Sequence, residues 1–264
     1  MADHPHDRAV WLAHRRWNTG MAVGVRQLGA YEPFAAWRTA VLQKALTLGS
    51  AAGPWPKMFA IWPGRSAPWS PLWDALAVRT VVADPSLAPQ PGLRPSTGAG
   101  DDGTWTTAAP WPRAFAVSCA WPVADPVAAL DEVMRSAGPA LWVEGVSGLP
   151  ACAAPAVGAV QWVRDDLSDV QLRAELPWPG WLVLMDLPYP GWHATVNGGA
   201  VEVAPANAVG RAVRVPAGRV EVAFTYRPAS VAWGAVVSLV GLAVCALWMW
   251  RTRRGAEPAP GPWL

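Results

Sequence analysis

Two pairs of adjacent carboxylates stand out for chemistry in this 264-residue chain: Asp101–Asp102 in TGAGDDGT and Asp165–Asp166 in VRDDLSD. Paired carboxylates do general acid/base work when a His, Lys or Ser completes the constellation. No such partner is placed by the sequence. Asp101 and Asp102 sit between Gly100 and Gly103, the composition of a solvated turn, and Asp165 and Asp166 fall at the end of a strand pattern. GxSxG, CxxC and His/Cys clusters at metal spacing do not occur, and His4, His6 and His14 lie in a polar, frayed N-terminus. Gly198–Gly199 lacks the strand-to-helix context of a phosphate cradle. The residues therefore assign no catalytic group, no metal and no cofactor. A different chemistry is offered by Trp181, Tyr189, Trp192 and His193, around the turn LPYPGWHA. Exposed aromatic faces stack on sugar rings through apolar C–H contacts, which makes these four the glycan-contact candidates. In the competing reading Trp181 and Trp192 are core plugs and Tyr189 braces a Pro-rich turn.

The cysteines divide the chain between two environments. Cys245 lies inside Val231–Trp250, VAWGAVVSLVGLAVCALWMW, a run without a charged residue that is followed by Arg251, Thr252, Arg253 and Arg254. At about 1.5 Å per residue, roughly 20 apolar residues cross the ~30 Å core of a bilayer, so this run predicts a transmembrane helix. Trp233 at one end and Trp248 and Trp250 at the other would lie at headgroup depth, with the clustered arginines and the tail 251–264 on the cytoplasmic side. Gly234, Ser238, Gly241 and Cys245 recur at intervals of four or three and form a line of small residues along which another helix can approach closely. Cys119 and Cys152 remain outside the span. They are either a disulfide in an oxidising compartment or two unpaired, buried small residues.

The elements that position these residues read as follows. Net charge is +2 and the arginines are scattered, which excludes the basic footprint of a nucleic-acid binder. Trp (19) and Pro (28) are abundant, a composition that favours many turn-bounded strands. Helices are expected at Pro33–Leu48, Pro71–Ala77 and Pro126–Arg135, and strands at Arg79–Ala83, Arg113–Ser118 and Leu141–Glu144. Gly49–Pro71 reads as an irregular connection and Pro85–Thr107 as a loop. From Val160 onward the texture becomes strand and turn: Val160–Arg164, Val170–Leu176, Trp181–Asp186, Trp192–Val196, Ala200–Val203, Arg211–Val215 and Val220–Tyr226. Asn197–Gly198 is the two-residue hairpin signal. The expected architecture is an α+β domain ending in an antiparallel β-sandwich, followed by one C-terminal transmembrane helix. Its divisions are 1–17 (disordered or truncated), 18–158 (mixed α/β), 159–229 (sandwich), 231–250 (span) and 251–264 (cytoplasmic tail). The N-terminus lacks the continuous apolar region of a secretory signal.

The run GWLVLMDLPYPGWHATVNGGAVEVAPANAVGRAVRVPAGRVEVAFTYRP, leading directly into the span, resembles the C-terminal outer domain of YfhO-like bacterial membrane proteins. The residues that carry this are Tyr189, Gly191, Trp192, Gly198, Ala206, Asn207, Val215, Pro216, Ala217, Gly218, Phe224, Tyr226 and Pro228. Asn197 stands where the family's hairpin more often has Asp. Upstream, Asn18 with GMAVGVRQLGAYEPFAAWR, LWDALAVRTVVAD and PWPRAFAV are similar to family segments in the same order. Such proteins resemble C-type glycosyltransferases, with many N-terminal membrane helices, acidic catalytic residues on an early outer loop and a polyprenyl-phosphate sugar as donor.

Those helices and that loop are not in this sequence, so no catalytic residue is carried over. The resemblance implies a fragment: a non-catalytic, outward-facing domain with its last span, in a bacterial plasma membrane, serving envelope glycan or glycolipid glycosylation. Its implied partners are membrane lipid, the membrane helices of a glycosyltransferase, and a glycan or polyprenyl-linked sugar. The alternative is a stand-alone membrane-anchored carbohydrate-binding or interaction module.

Overall fold

The computed structural model describes residues 8–11, 37–48, 72–82, 92–95 and 104–254. The histidines of the N-terminus, the segment around Asn18, residues 49–71, Asp101–Asp102 and the tail from 255 lie outside the described residues. In chain order the first elements are β1 (Arg8–Trp11), α1 (Trp37–Leu48), α2 (Leu72–Ala75), β2 (Val78–Val82), β3 (Leu93–Pro95) and β4 (Thr104–Thr107). Then come β5 (Ala114–Val117), β6 (Trp121–Val123), α3 (Pro126–Arg135), β7 (Trp142–Glu144), β8 (Val157–Gly158), β9 (Gln161–Asp165) and β10 (Asp169–Leu176). The last are β11 (Gly180–Leu184), β12 (Trp192–Val196), β13 (Gly199–Val201), β14 (Ala204–Ala206), β15 (Gly210–Val215), β16 (Gly218–Tyr226) and α4 (Ala229–Arg254).

Three sheets form: a four-stranded one ordered β1-β2-β4-β3, a five-stranded one ordered β13-β12-β16-β10-β9, and a seven-stranded one ordered β6-β7-β14-β15-β11-β5-β8. The five- and seven-stranded sheets face each other as a sandwich. Ala114, Ala116, Leu182, Leu184, Val213 and Val215 from one sheet meet Val170, Leu172, Leu176, Val220, Val222 and Phe224 from the other. The alternate residues of the seven-stranded sheet, among them Phe115, Val117, Trp181 and Val183, point to a second core shared with α1, α2 and α3. A sheet covered on both faces has apolar residues at consecutive positions, which is why AFAV and WLVL read as unbroken apolar runs. β16 has only one buried face and alternates, with Val220, Val222 and Phe224 buried and Glu221 exposed. Local devices hold these elements in place. Asp125 caps α3 by accepting from the amides of Val127 and Ala128 at 2.8 and 2.9 Å, with Pro126 at the first helical position. Asn197 and Gly198 take φ of 50° and 81° in the β12–β13 hairpin.

The architecture is α+β with an antiparallel sandwich and a long C-terminal apolar helix, as the sequence implies. Four details differ. The seven-stranded sheet takes β5, β6 and β7 from before residue 158 and β11, β14 and β15 from after it, so no sheet boundary falls there. Arg8–Trp11 is not frayed but pairs parallel with β2. The stretch read as a loop from Pro85 to Thr107 contains β3 and β4; TWTT has the β-branched and aromatic residues of a strand although its surroundings are turn formers. Ala200–Val203 is not one strand, because the chain crosses at Glu202–Val203 from β13 in one sheet to β14 in the other.

Asn207 secures the strand that follows that crossing. Fully buried and at φ 51°, it accepts from the Trp142 amide at 2.8 Å and donates to the Ala140 carbonyl at 2.9 Å, tying the β14–β15 turn to β7. Asn207→Ala strands both buried backbone groups, each worth about 1–3 kcal/mol. The expected loss of stability is therefore ~2–6 kcal/mol, read by denaturant unfolding of the detergent-solubilised chain. A change within error would show that Asn207 carries no such load.

Candidate functional site

The functional candidates separate onto two ends of the sandwich. β16 runs antiparallel to both β10 and β12, with Asp169 opposite Thr225 and Trp192 opposite Tyr226. The end from which the chain leaves for α4 therefore carries the β9–β10 turn and the β11–β12 connection. Leu184 lies opposite Ala114 and Arg211, so the corresponding end of the other sheet is there too. The Asn197–Gly198 hairpin is at the opposite end.

Between the two sheets at the α4 end lies a cluster of charge. Asp186 accepts from Arg113 Nε at 2.9 Å and Nη2 at 2.7 Å, a two-pronged fork, and also from Arg8 and, at 3.5 Å, from Arg211. The third nitrogen of Arg113 donates to Asp165 at 2.8 Å. Arg8 further donates to the carbonyls of Leu76 and Met185, and Arg211 to that of Leu187. The guanidinium of Arg211 lies 3.6 Å from the ring centroid of Trp192 and 5.3 Å from that of Phe224, and that of Arg113 lies 4.7 Å over Trp162. Planar guanidinium groups suit such enclosed sites because they fork onto carboxylates and stack on rings at once. Burial by itself would raise the Asp186 carboxyl. The hydrogen bonds from Arg113 and the charges of Arg8, Arg113 and Arg211 outweigh that and hold it well below the usual carboxylate range. Burial, together with Arg113 and Arg8, draws Arg211 down to about 10 against the opposing pull of Asp186. The cluster is an electrostatic clasp joining β1, β9, β15, the residue before β5 and the segment after β11.

The aromatic candidates do not stay together. Tyr189 and Trp192 converge on Tyr226, with ring centroids 6.5 and 5.2 Å away. Tyr189 is exposed, Trp192 is half-buried with one face against Arg211, and His193 is exposed on β12. Trp181 is apart from them: it is buried in the second core and stacks against Arg214 at 4.7 Å. It lies near the other end of β11, about 13 Å from Met185 at ~3.3 Å per residue. The core-plug reading describes Trp181, and no open ring face is left on it for a sugar. Gly191 holds the turn: its φ is 106°, and a Cβ there would come within 2.8 Å of Pro228 Cα.

The remaining candidates are placed as follows. Cys119 and Cys152 form a disulfide with Cα atoms 5.6 Å apart. Asp165 and Asp166 do not act as a pair, since Asp165 joins Arg113 and Asp166 joins Arg164. Gly234, Ser238, Gly241 and the free Cys245 lie along α4, every described residue of which from Ala229 to Thr252 is exposed. Among the described residues, and the helix's own backbone aside, nothing approaches Gly234 or Gly241 within 4 Å of a built Cβ. The sequence did not reveal a shallow groove on the outer face of the five-stranded sheet, lined by Gln171, Arg173, Thr195 and Glu221 among others. Among the described residues no group of His, Cys, Asp or Glu is arranged for a metal ion. Comparison with protein-family models, curated proteins and solved structures found no match.

Asp186→Asn leaves three arginines facing one another without their shared counter-charge. Breaking an enclosed pair of this kind costs about 3–5 kcal/mol. The pH dependence has a definite sign: an Asp titrating near about 3.9 when unfolded and lower when folded contributes fully above that value and progressively less below it. Stability of the wild-type chain should therefore fall as pH drops through 4, and the Asp186→Asn chain should show a weaker fall. Parallel curves for the two proteins would assign the acid sensitivity elsewhere.

Proposed function

We propose that the chain is a membrane-anchored, outward-facing domain of a YfhO-like protein in a bacterial plasma membrane. In this reading it serves envelope glycan or glycolipid glycosylation by recognising acceptor or partner, without catalysis of its own. The observation that carries the reading is the unit from β11 through α4, in which the residues resembling the family hold structural posts. Gly191 packs on Pro228, Asn207 ties β14 to β7, Phe224 fills the sandwich core, and Tyr226 gathers Tyr189 and Trp192. α4 is long and apolar enough to cross a membrane over Ala229–Thr252. The Cys119–Cys152 bond supports an oxidising compartment for the β-domain, and with it the reading that the arginine-rich end of α4 faces the cytoplasm. Asp165 and Asp186 are committed to arginines, and Asp186 is shifted away from neutrality, the opposite of what a general acid or base needs. The small-residue line on α4 is the proposed approach for a helix of the glycosyltransferase body.

The outer groove favours a second reading, a stand-alone carbohydrate-binding module, because Gln171, Arg173, Thr195 and Glu221 offer donors and acceptors to sugar hydroxyls.

Topology is tested in a Cys245→Ser background with a membrane-impermeant thiol reagent on intact cells. Ala200→Cys, exposed beside the hairpin, should label, and Thr252→Cys should label only after permeabilisation. The reverse pattern would overturn the orientation. The functional reading is tested by deleting the gene and profiling envelope glycans and glycolipids by mass spectrometry. Loss of one glycosyl modification, restored by the chain, is expected; an unchanged profile, with glycan-array binding that disappears in Gln171→Ala/Thr195→Ala, would favour the stand-alone module instead.

A further inference from the structure

The end of the sandwich nearest α4 carries two apolar side chains on separate loops. Leu167, at the tip of the β9–β10 turn between Asp166 and Ser168, is 93% exposed, and Tyr189, on the β11–β12 connection, is 53% exposed. A turn tip ordinarily carries polar or small residues, and a leucine held almost entirely in water gains nothing for the fold. Both loops are bonded to the segment that enters the helix. The Tyr226 amide donates to the Ser168 carbonyl at 2.8 Å, and the Arg227 amide donates to the Gly191 carbonyl at 2.7 Å. Only Arg227 and Pro228 separate β16 from α4, and Val231 already donates back to Pro228.

These short connections fix the height of the rim above a bilayer. From Tyr226 to Val231 the chain advances at most about 13 Å, at ~3.4 Å per extended residue and ~1.5 Å per helical one. The headgroup layer on each side of the hydrocarbon is about 5–7 Å deep. With Val231–Trp250 across the hydrocarbon, Tyr226 and the two loops bonded to its segment fall at headgroup depth or just above it. We infer that this rim seats on the bilayer, with Leu167 and Tyr189 entering the interfacial layer of the outer leaflet. The inference rests on the reading of α4 as a span. Tyrosine is favoured at that depth, Leu167 gains apolar contact there, and Arg227, exposed at the junction, faces the phosphates. Trp233, exposed one turn into the helix, completes the same belt. The β-domain is thereby held against the membrane at a set tilt, where a freely pivoting domain would need a longer linker. The two-residue junction, clamped by both loops, argues for lipid over a second protein as the occupant of the rim.

The test uses the full chain in nanodiscs, in a Cys245→Ser background, with an environment-sensitive fluorophore at one introduced cysteine at a time. Leu167→Cys and Tyr189→Cys should emit blue-shifted light and lose emission to lipids carrying a quencher near the headgroup, to a degree comparable with Trp233→Cys. Ala200→Cys at the far hairpin should do neither. Emission from 167 and 189 as red and as unquenched as from 200 would overturn the inference, and a blue shift without lipid quenching would overturn it in favour of a protein occupant. Val240→Cys separates the two readings. Quenched by acyl-chain quenchers while 167 and 189 are not, it leaves the span standing and the docking refuted; unquenched, it refutes the span and the docking with it.

Discussion

A single carboxylate, that of Asp186, sets the relation between the layers of this protein. It lies two residues past the end of a strand buried on both faces and is met by Arg113 from just before β5, Arg8 from β1 and Arg211 from β15, while Arg113 reaches on to Asp165 at the end of β9. Apolar packing between sheets is strong but without direction, and two sandwich faces of Val, Leu and Ala can slide. Forked bonds to a carboxylate cannot slide without breaking. The cluster lies at the end of the sandwich where the chain leaves for α4.

That position gives the junction its stiffness. The β11–β12 connection is held from inside by Asp186 and the Leu187 carbonyl, from the side by Gly191 against Pro228, and by Trp192 between Arg211 and Tyr226. The aromatic turn is thus part of a continuous link from buried charge to the long apolar helix α4. A sugar-binding role and a supporting role for Tyr189 and Trp192 use different faces of the rings: one face of Trp192 is taken by Arg211, and Tyr189 keeps an open one.

Much of this was legible locally. The apolar run of α4, the helix that starts at Pro126, the Asn197–Gly198 turn and the alternation of β16 are written in neighbouring residues, because helix period, strand period and turn chemistry act over a few positions. Short strands such as β3, β4, β6 and β8 were not legible, since three or four residues carry no period of their own and exist only because a partner strand is present. The sheet-to-sheet crossing after β13 was equally hidden, because β14 pairs with β7 and its following turn is tied there by a buried asparagine whose partners lie more than sixty residues away.

The same division holds for function. The sequence alone determined that the chain has a long apolar C-terminal helix bounded by tryptophan and arginine, and that its only possible disulfide outside that helix joins Cys119 to Cys152, since both facts concern residue type and number. Tertiary structure decided that these two cysteines meet, that Trp181 is core while Tyr189 faces out, and that Asp165 parts from Asp166 to join a cluster drawn from five segments. Proximity across the sandwich is set by register and by the crossing of strands between sheets. Neither leaves a trace in the spacing of residues along the chain.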